Sequence, residues 1–451
     1  PVEKYGRLAN FVPSLDQIVI ASGSTIPDLN ALLTQANLSG KVALAASVHL
    51  PLSLVNTNYD NFAPRFGFAF RPFGGVRTVV RGGYGIFYGG SLLQPIRDDL
   101  TRVYPFALSQ TFNRSTTDVN LVTLENPFPS TKTPGLAGTA NTNGYEANPP
   151  SQYVQQFNLT IQREVGGGIV LEGAYVGSRG VHLGRRYDLN QPYFVPSLKS
   201  NGNFPRPYAG FNTINYYSFG SGSTFNSAQF SAQKRVSRGL FLLFNYTYAK
   251  SIDDASQISG NSDGGYPAAQ DSRDLRAERG RSDFDVGHSF NMLYSWQLPW
   301  KGCVFVRGWQ IGGTGRAYTG QPFTPRVSNT NSSLGEANRP DRIGKGSAAN
   351  PTVDRWFDLA AFPAVPTGAF RFGDSGRNIL DGPGYLSFNA SLFRNFLIRE
   401  TKNLQFRWET FNVLNHANLH LPVDMVNAQN AGTIRVADPG RTMQLGARLQ
   451  F

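Results

Sequence analysis

Residues Arg441 to Phe451 read Arg-Thr-Met-Gln-Leu-Gly-Ala-Arg-Leu-Gln-Phe. In a β-strand, successive side chains point to opposite faces. Met443, Leu445, Ala447, Leu449 and Phe451 therefore share one face, and Gln444, Gly446, Arg448 and Gln450 share the other. The strand is apolar on one side and polar on the other up to its last residue. A soluble sandwich strand shows the same alternation but rarely stops on an aromatic with no tail.

The rhythm recurs upstream. Arg65 to Phe73 sets Phe66, Phe68 and Phe70 on one face, and Thr78 to Tyr88 returns after Gly74-Gly75. Tyr153 to Val165 sets Phe157, Leu159 and Ile161 against Asn158, Thr160 and Gln162, turns at Gly166-Gly167-Gly168, and returns through Ile169 to Ser178. Phe225 to Val236 leads through Ser237-Arg238-Gly239 into Leu240 to Lys250, whose apolar face is Leu240, Leu242, Phe244, Tyr246 and Tyr248. Asp283 to Leu298 and Arg307 to Thr319 form the next pair, then Tyr385 to Phe396 and Asn403 to Leu414, then the closing strand. The pattern predicts eleven strands joined by short Gly-rich turns in strict alternation with long polar loops. A transmembrane β-barrel has that asymmetry, with short periplasmic turns and long extracellular loops. Strands of this length, at about 3.3 Å per residue and about 40° tilt, cover its apolar band of roughly 25 Å. Tyr88, Tyr248, Trp296, Trp300, Phe396 and Phe451 sit near strand ends, where aromatic girdles belong.

Composition agrees. The 451 residues include 13% aromatics, 48 Gly and only 16% charged residues. No apolar run approaches the roughly 18–20 residues of a spanning helix. The 42 basic residues give a net charge of +12 but are spread along the chain, which disfavours nucleic acid and suits anionic headgroups or cargo. Cys303 is the only cysteine, so no disulfide forms within the chain. The chain begins Pro-Val-Glu-Lys without a signal peptide, so the expectation is a processed or truncated chain.

Residues 1–63 carry few strand signals and read as an extracellular loop region before the first complete strand, with residues 64–451 the C-terminal part of the barrel. A small soluble cap is the other reading of 1–63. Within it, Ile26 to Leu38 has the spacing of a short amphipathic helix. Bacterial single-chain barrels have an even strand count. Eleven strands that begin and end downward therefore need further strands upstream, unless Val42 to Leu50 supplies a twelfth.

Gln444, Gly446, Leu449 and Phe451 match a pattern that resembles the closing-strand signal read by the barrel-assembly machinery. Across nearly the whole chain the text resembles the C-terminal barrel half of Oar-like TonB-dependent receptors. The blocks that carry it include Asn61-Phe-Ala-Pro-Arg-Phe-Gly-Phe, Arg81-Gly-Gly-Tyr-Gly-Ile-Phe-Tyr, Gln155-Gln-Phe-Asn-Leu-Thr-Ile-Gln-Arg-Glu and Tyr246-Thr-Tyr-Ala-Lys-Ser-Ile-Asp-Asp-Ala. Asp283-Phe-Asp-Val, Arg339-Pro-Asp-Arg, Arg377-Asn-Ile-Leu-Asp-Gly-Pro-Gly and Phe411-Asn-Val-Leu-Asn-His continue it. The resemblance implies a 22-stranded barrel in the outer membrane of a Gram-negative bacterium, with a plug that is absent from this chain. It also implies energy from an inner-membrane TonB complex engaged through missing N-terminal parts. The expected function is plug-gated passage of a bulky substrate; the alternative is a non-transporting surface, scaffold or adhesion protein.

Candidate site residues follow from the faces. Arg81, Arg163, Arg316, Arg407 and Arg448 read as lumen arginines that contact an anionic cargo or the plug, or pair with Glu164, Glu172 and Glu409. Asp253, Asp254 and Asp263 belong to an Asp-rich loop in which hard cations such as Ca²⁺ find oxygen ligands. The spacing fits no EF-hand, and Arg273, Arg276, Arg279 and Arg281 offer simpler partners. His416 and His420 have metal spacing only on a helix, where Pro422 argues against one. No nucleophile sits beside a base with an orienting group, so no enzyme and no cofactor is expected.

Overall fold

In a computed structural model of the chain, residues 4–22, 38–72, 74–75, 77–89, 100–101, 105–106, 140–198, 204–237, 239–256, 269–328, 338–366, 368–399 and 402–451 are described. The strands are β1 (Ala9–Val12), β2 (Gln17–Ile20), β3 (Val42–Leu44), β4 (Arg65–Phe70), β5 (Thr78–Tyr88) and β6 (Ala140–Tyr145). Then come β7 (Tyr153–Gly166), β8 (Ile169–Asp188), β9 (Phe211–Ser237), β10 (Leu240–Asp253), β11 (Gly280–Arg281) and β12 (His288–Gln297). The last are β13 (Trp309–Tyr318), β14 (Pro322–Phe323), β15 (Leu380–Asp381), β16 (Tyr385–Arg399), β17 (Lys402–Phe411) and β18 (Thr442–Gln450).

One path of neighbours, β4-β5-β7-β8-β9-β10-β12-β13-β16-β17-β18, forms an antiparallel wall. These are the eleven strands the alternation predicts. Because each strand reverses the last, short turns fall on one rim and long loops on the other. Gly166, Gly167 and Gly168 all have positive φ, the conformation that tight turns demand and side chains resist, which explains the glycine run.

Register aligns the apolar faces. Phe70, Val80, Ile161, Gly173, Phe230, Tyr246, Phe290, Ala317 and Leu386 are successive cross-strand partners. Leu240, Trp296, Ile311, Leu392, Trp408 and Leu445 make a second row. Gln162, Glu172, Ser231, Asn245, Asn291, Arg316 and Ser387 pair on the opposite face. Ile161 is 52% exposed, Phe230 50% and Leu445 72%. An apolar band of this extent, open on its outer side, has lipid as its solvent. Glycines in the band are covered by rings from the next strand: Phe68 lies over Gly82, Phe157 over Gly177 and Phe388 over Gly315. An aromatic in that position restores the contact a glycine lacks.

The wall outgrows the membrane on the loop side. β9 has 27 residues, about 90 Å of strand, and at about 40° tilt its height is more than twice the apolar band. Its upper end, near Phe211, Ile214, Tyr217 and Phe219, is the floor of a cap. In that cap β1, β2 and β3 form a small sheet in which β2 and β3 run parallel. Phe11, Ile18 and Ile20 pack on Phe211 and Ile214, and Val19, Leu54 and Tyr145 on Tyr217 and Phe219. β6 adds a parallel pairing with β9. Residues 9–44 read as loop because β1 and β2 have four residues each, nearly all buried on both faces, so no alternation shows. β3 pairs with β2, in a sheet separate from the wall. The helix expected at Ile26 to Leu38 lies, except for Leu38, outside the described residues. A second cap packs Phe323, Phe357, Phe362 and Leu380 around β14 and β15.

Candidate functional site

The polar face and the rim above it form the candidate site. Along the face, Asn245, Asn291, Thr314, Arg316, Ser387 and Asn389 line a groove of about 340 Å³. The Asn389 side-chain amide donates to Thr314 Oγ1 at 3.1 Å. The Arg316 guanidinium lies 5.0 Å from the Tyr318 ring centre and 5.9 Å from that of Tyr385. Those two rings stack at 4.8 Å, so an exposed cation is held at the top of the groove by π-faces. Higher up, Tyr318 and Tyr385 also line a cleft of about 510 Å³, with Thr324, Arg326, His420 and Asp424. Arg326 donates to Asp424 Oδ1 at 2.7 Å. Burial of Asp424 outweighs this pairing and raises its carboxyl above the ordinary value.

The other arginines divide. Arg81 donates to Gln162 at 3.3 Å on the polar face. Arg407 pairs with Glu409 at 3.4 Å, and Arg448 stands opposite Gln405, also on that face. Arg163 stands opposite Thr78 and Leu171, in the apolar row with Ile161. Strand parity decides this, because Arg163 is two residues from Ile161. In the closing strand, Gln444 donates to Glu409 and Gly446 stands opposite Arg407 on the polar face, whereas Leu449 and Phe451 are exposed on the apolar one.

The Asp-rich loop is held by arginines from far along the chain. Arg377 binds the Asp253 carboxylate, donates to the Asp253 carbonyl at 2.8 Å, to Ser256 at 3.0 Å and to the Glu278 carbonyl at 2.8 Å. Asn378 donates to Asp283 and to the Arg281 carbonyl, both at 2.7 Å. Arg339 donates to Glu278 at 2.7 Å, both side chains being buried. Asp254 accepts from Ser221, from the Gly222 N–H at 2.9 Å and from Arg185 at 3.3 Å. Asp253 and Asp254 thus spend their oxygens on protein donors; Asp263 lies outside the described residues. No group of three His, Cys, Asp or Glu placed to hold a metal occurs among the described residues. His416 contacts Asn418 at 3.0 Å, and His420 contacts Asp438 at 3.1 Å. The sequence blocks around Asp253, Asp283, Arg339 and Arg377 meet here, which strand periodicity has no means to show. The surplus of Asp facing isolated Arg blocks was the one available signal.

Residues 1–444 match the family model described as an outer membrane beta barrel domain. No curated protein sequence matches. Among solved structures, the outer membrane transporter YddB from Escherichia coli is similar at 14% identity and a TM-score of 0.47, over 86% of this chain and 40% of that one. The FrpB iron transporter from Neisseria meningitidis is similar at 10% identity and a TM-score of 0.41, over 86% of this chain and 39% of that one. The siderophore receptor PiuA from Acinetobacter baumannii gives 9% and 0.41, over 86% and 35%. This chain therefore spans well under half the length of each. The family match runs from the first cap through the wall into its last strand, and on that ground the chain belongs to the outer membrane beta-barrel family and resides in the outer membrane of a Gram-negative bacterium.

Proposed function

We propose that the chain is the C-terminal barrel portion of a TonB-dependent, Oar-like receptor that passes a bulky substrate through a plug-gated lumen. The observation that supports this reading is the rim. Its loops are braced by buried ion pairs around a cleft of about 510 Å³, directly above a polar groove topped by Arg316. Residues 1–63 belong to the extracellular side, because their cap packs on the loop end of β9. Among the described residues the wall has β4 and β18 at its edges, and an even total calls for further strands between them; the resemblance to Oar-like receptors implies 22 in all. Arg81, Arg316, Arg407 and Arg448 face cargo or plug. The full-length reading frame tests the proposal: a plug and a TonB-contacting segment upstream of Pro1 are expected, and purified full-length protein should bind the periplasmic domain of TonB. A full-length protein without either supports the scaffold alternative. Gln444, Gly446, Leu449 and Phe451 act as the assembly signal; deleting Phe451 should reduce outer-membrane yield far more than Gln450→Ala, and equal yields remove that role.

A further inference from the structure

Arg394 lies on β16 with Leu392 and Phe396 on the apolar face, opposite Trp309 of β13 and Phe406 of β17. It is only 4% exposed, and its Nε and Nη1 have no hydrogen-bond partner among the described residues. Its guanidinium lies 4.2 Å from the Phe396 ring centre and 5.9 Å from that of Trp309, and Trp309 meets Phe406 edge-on at 6.1 Å. Aromatic faces attract a cation but offer no acceptor lone pair. A buried, permanently charged guanidinium without an anion is costly. The carboxylate on neighbouring β17, Glu409, projects to the opposite face, where it pairs with Arg407.

Depth narrows the choice of anion. Trp309 is the first residue of β13, and its indole N–H donates to the Phe305 carbonyl at 2.9 Å in the 298–308 turn. That turn exposes Trp300, Val304, Phe305 and Val306, with the Phe305 ring 6.4 Å from that of Phe396, and Leu397 and Ile398 are exposed further along β16. Arg394 is therefore level with the base of a short turn, on the periplasmic side of the band. An apolar turn with tryptophans is the composition of a membrane interface.

We propose that Arg394, caged by Trp309, Phe396 and Phe406, is a binding site for the phosphate of a phospholipid in the periplasmic leaflet. The guanidinium nitrogen that is not enclosed, Nη2, donates to a phosphate oxygen, and the rings and the exposed turn hold the adjoining glycerol and upper acyl chains. The site depends on the wall facing lipid and is independent of what the lumen carries.

Native mass spectrometry of the purified full-length protein, with phosphatidylglycerol titrated in, tests this. Wild type should retain one such lipid about tenfold better than Arg394→Met, the weight of one charge-assisted contact. Arg394→Lys, which keeps the charge but loses the planar guanidinium that lies against the rings, should fall between them. Arg355→Gln, which removes a cation paired with Asp358 on the loop rim, should bind like wild type. Heat-modifiable gel migration reports assembly; should Arg394→Met fail to assemble, Arg394→Lys carries the comparison. Equal retention by wild type and the assembled variant overturns the site. So does stronger retention of lipopolysaccharide than of phosphatidylglycerol, or displacement of the lipid by millimolar inorganic phosphate, which would make it a site for free anions.

Discussion

The wall and the caps are built from one chain but for two solvents. The wall's large side chains point outward and stay half-exposed, as in Ile161, Phe230 and Leu445. The caps enclose Phe11, Ile18, Val19, Phe357 and Phe362 at 1% exposure or less, as a soluble protein does. Cap stability therefore comes from expelling water and filling space. Wall stability comes from the hydrogen-bond ladder between neighbouring strands and from transfer of one face into hydrocarbon. Polar groups reverse roles as well: in the wall they form the face opposite the apolar band, whereas at the rim Asp253, Arg339 and Glu278 are buried and pair with charges from distant segments.

Substitutions separate the two regimes. Phe357→Ala should cost about 3–5 kcal/mol of cap stability through the cavity it leaves, read as faster hydrogen exchange in 338–381 with the wall unchanged. A matching change in wall exchange would show that the two regions unfold together. Leu445→Arg should cost about 2–4 kcal/mol if that position lies near the midplane, measured as folding free energy in lipid vesicles; insertion equal to wild type would reverse the assigned facing. Size changes draw the contrast more finely. Val19→Phe overpacks a full core at about 1–3 kcal/mol, whereas Ile161→Phe, bordered by fluid chains, should be within about 0.5 kcal/mol of wild type. Equal costs would mean that the wall band is packed against protein.

The smallest effect is one of pH. Arg371 donates to both carboxylate oxygens of Asp341, at 2.6 and 2.5 Å, and that hydrogen bonding holds the Asp341 carboxyl below its ordinary value. A depressed carboxylate contributes stability above its unfolded pKa and loses it as pH falls through the folded value. With Arg371 half-exposed, the loss is at most about 1 kcal/mol. Thermal melts should show the cap weakening below about pH 4, with Asp341→Asn removing that dependence.

Much of the wall was legible from residue order, because a period of two repeated over ten or more residues is a long signal, and Gly166 to Gly168 or Ser237 to Gly239 mark its turns. The caps were not. β1 and β2 are four residues each with no polar alternation, and their partners Phe211 and Ile214 lie far along the chain. The same limit hid most of the ion pairs: Arg273 does pair with its neighbour Asp271, but Asp253 is answered by Arg377, 124 positions away. Arg163 shows a subtler limit. Charge suggested the lumen, but strict parity with Ile161 sets it on the apolar row, near a turn where a long side chain reaches the interface.

Alternation by itself determined that one face of each strand is apolar and that consecutive strands run back and forth, since side-chain direction in a strand is a local geometric property. Only the tertiary structure decided which loop residues become core, which arginine answers which aspartate, and that Arg394 sits inside an aromatic cage. Those outcomes depend on distances between segments far apart in the chain, and burial and charge pairing act through such distances.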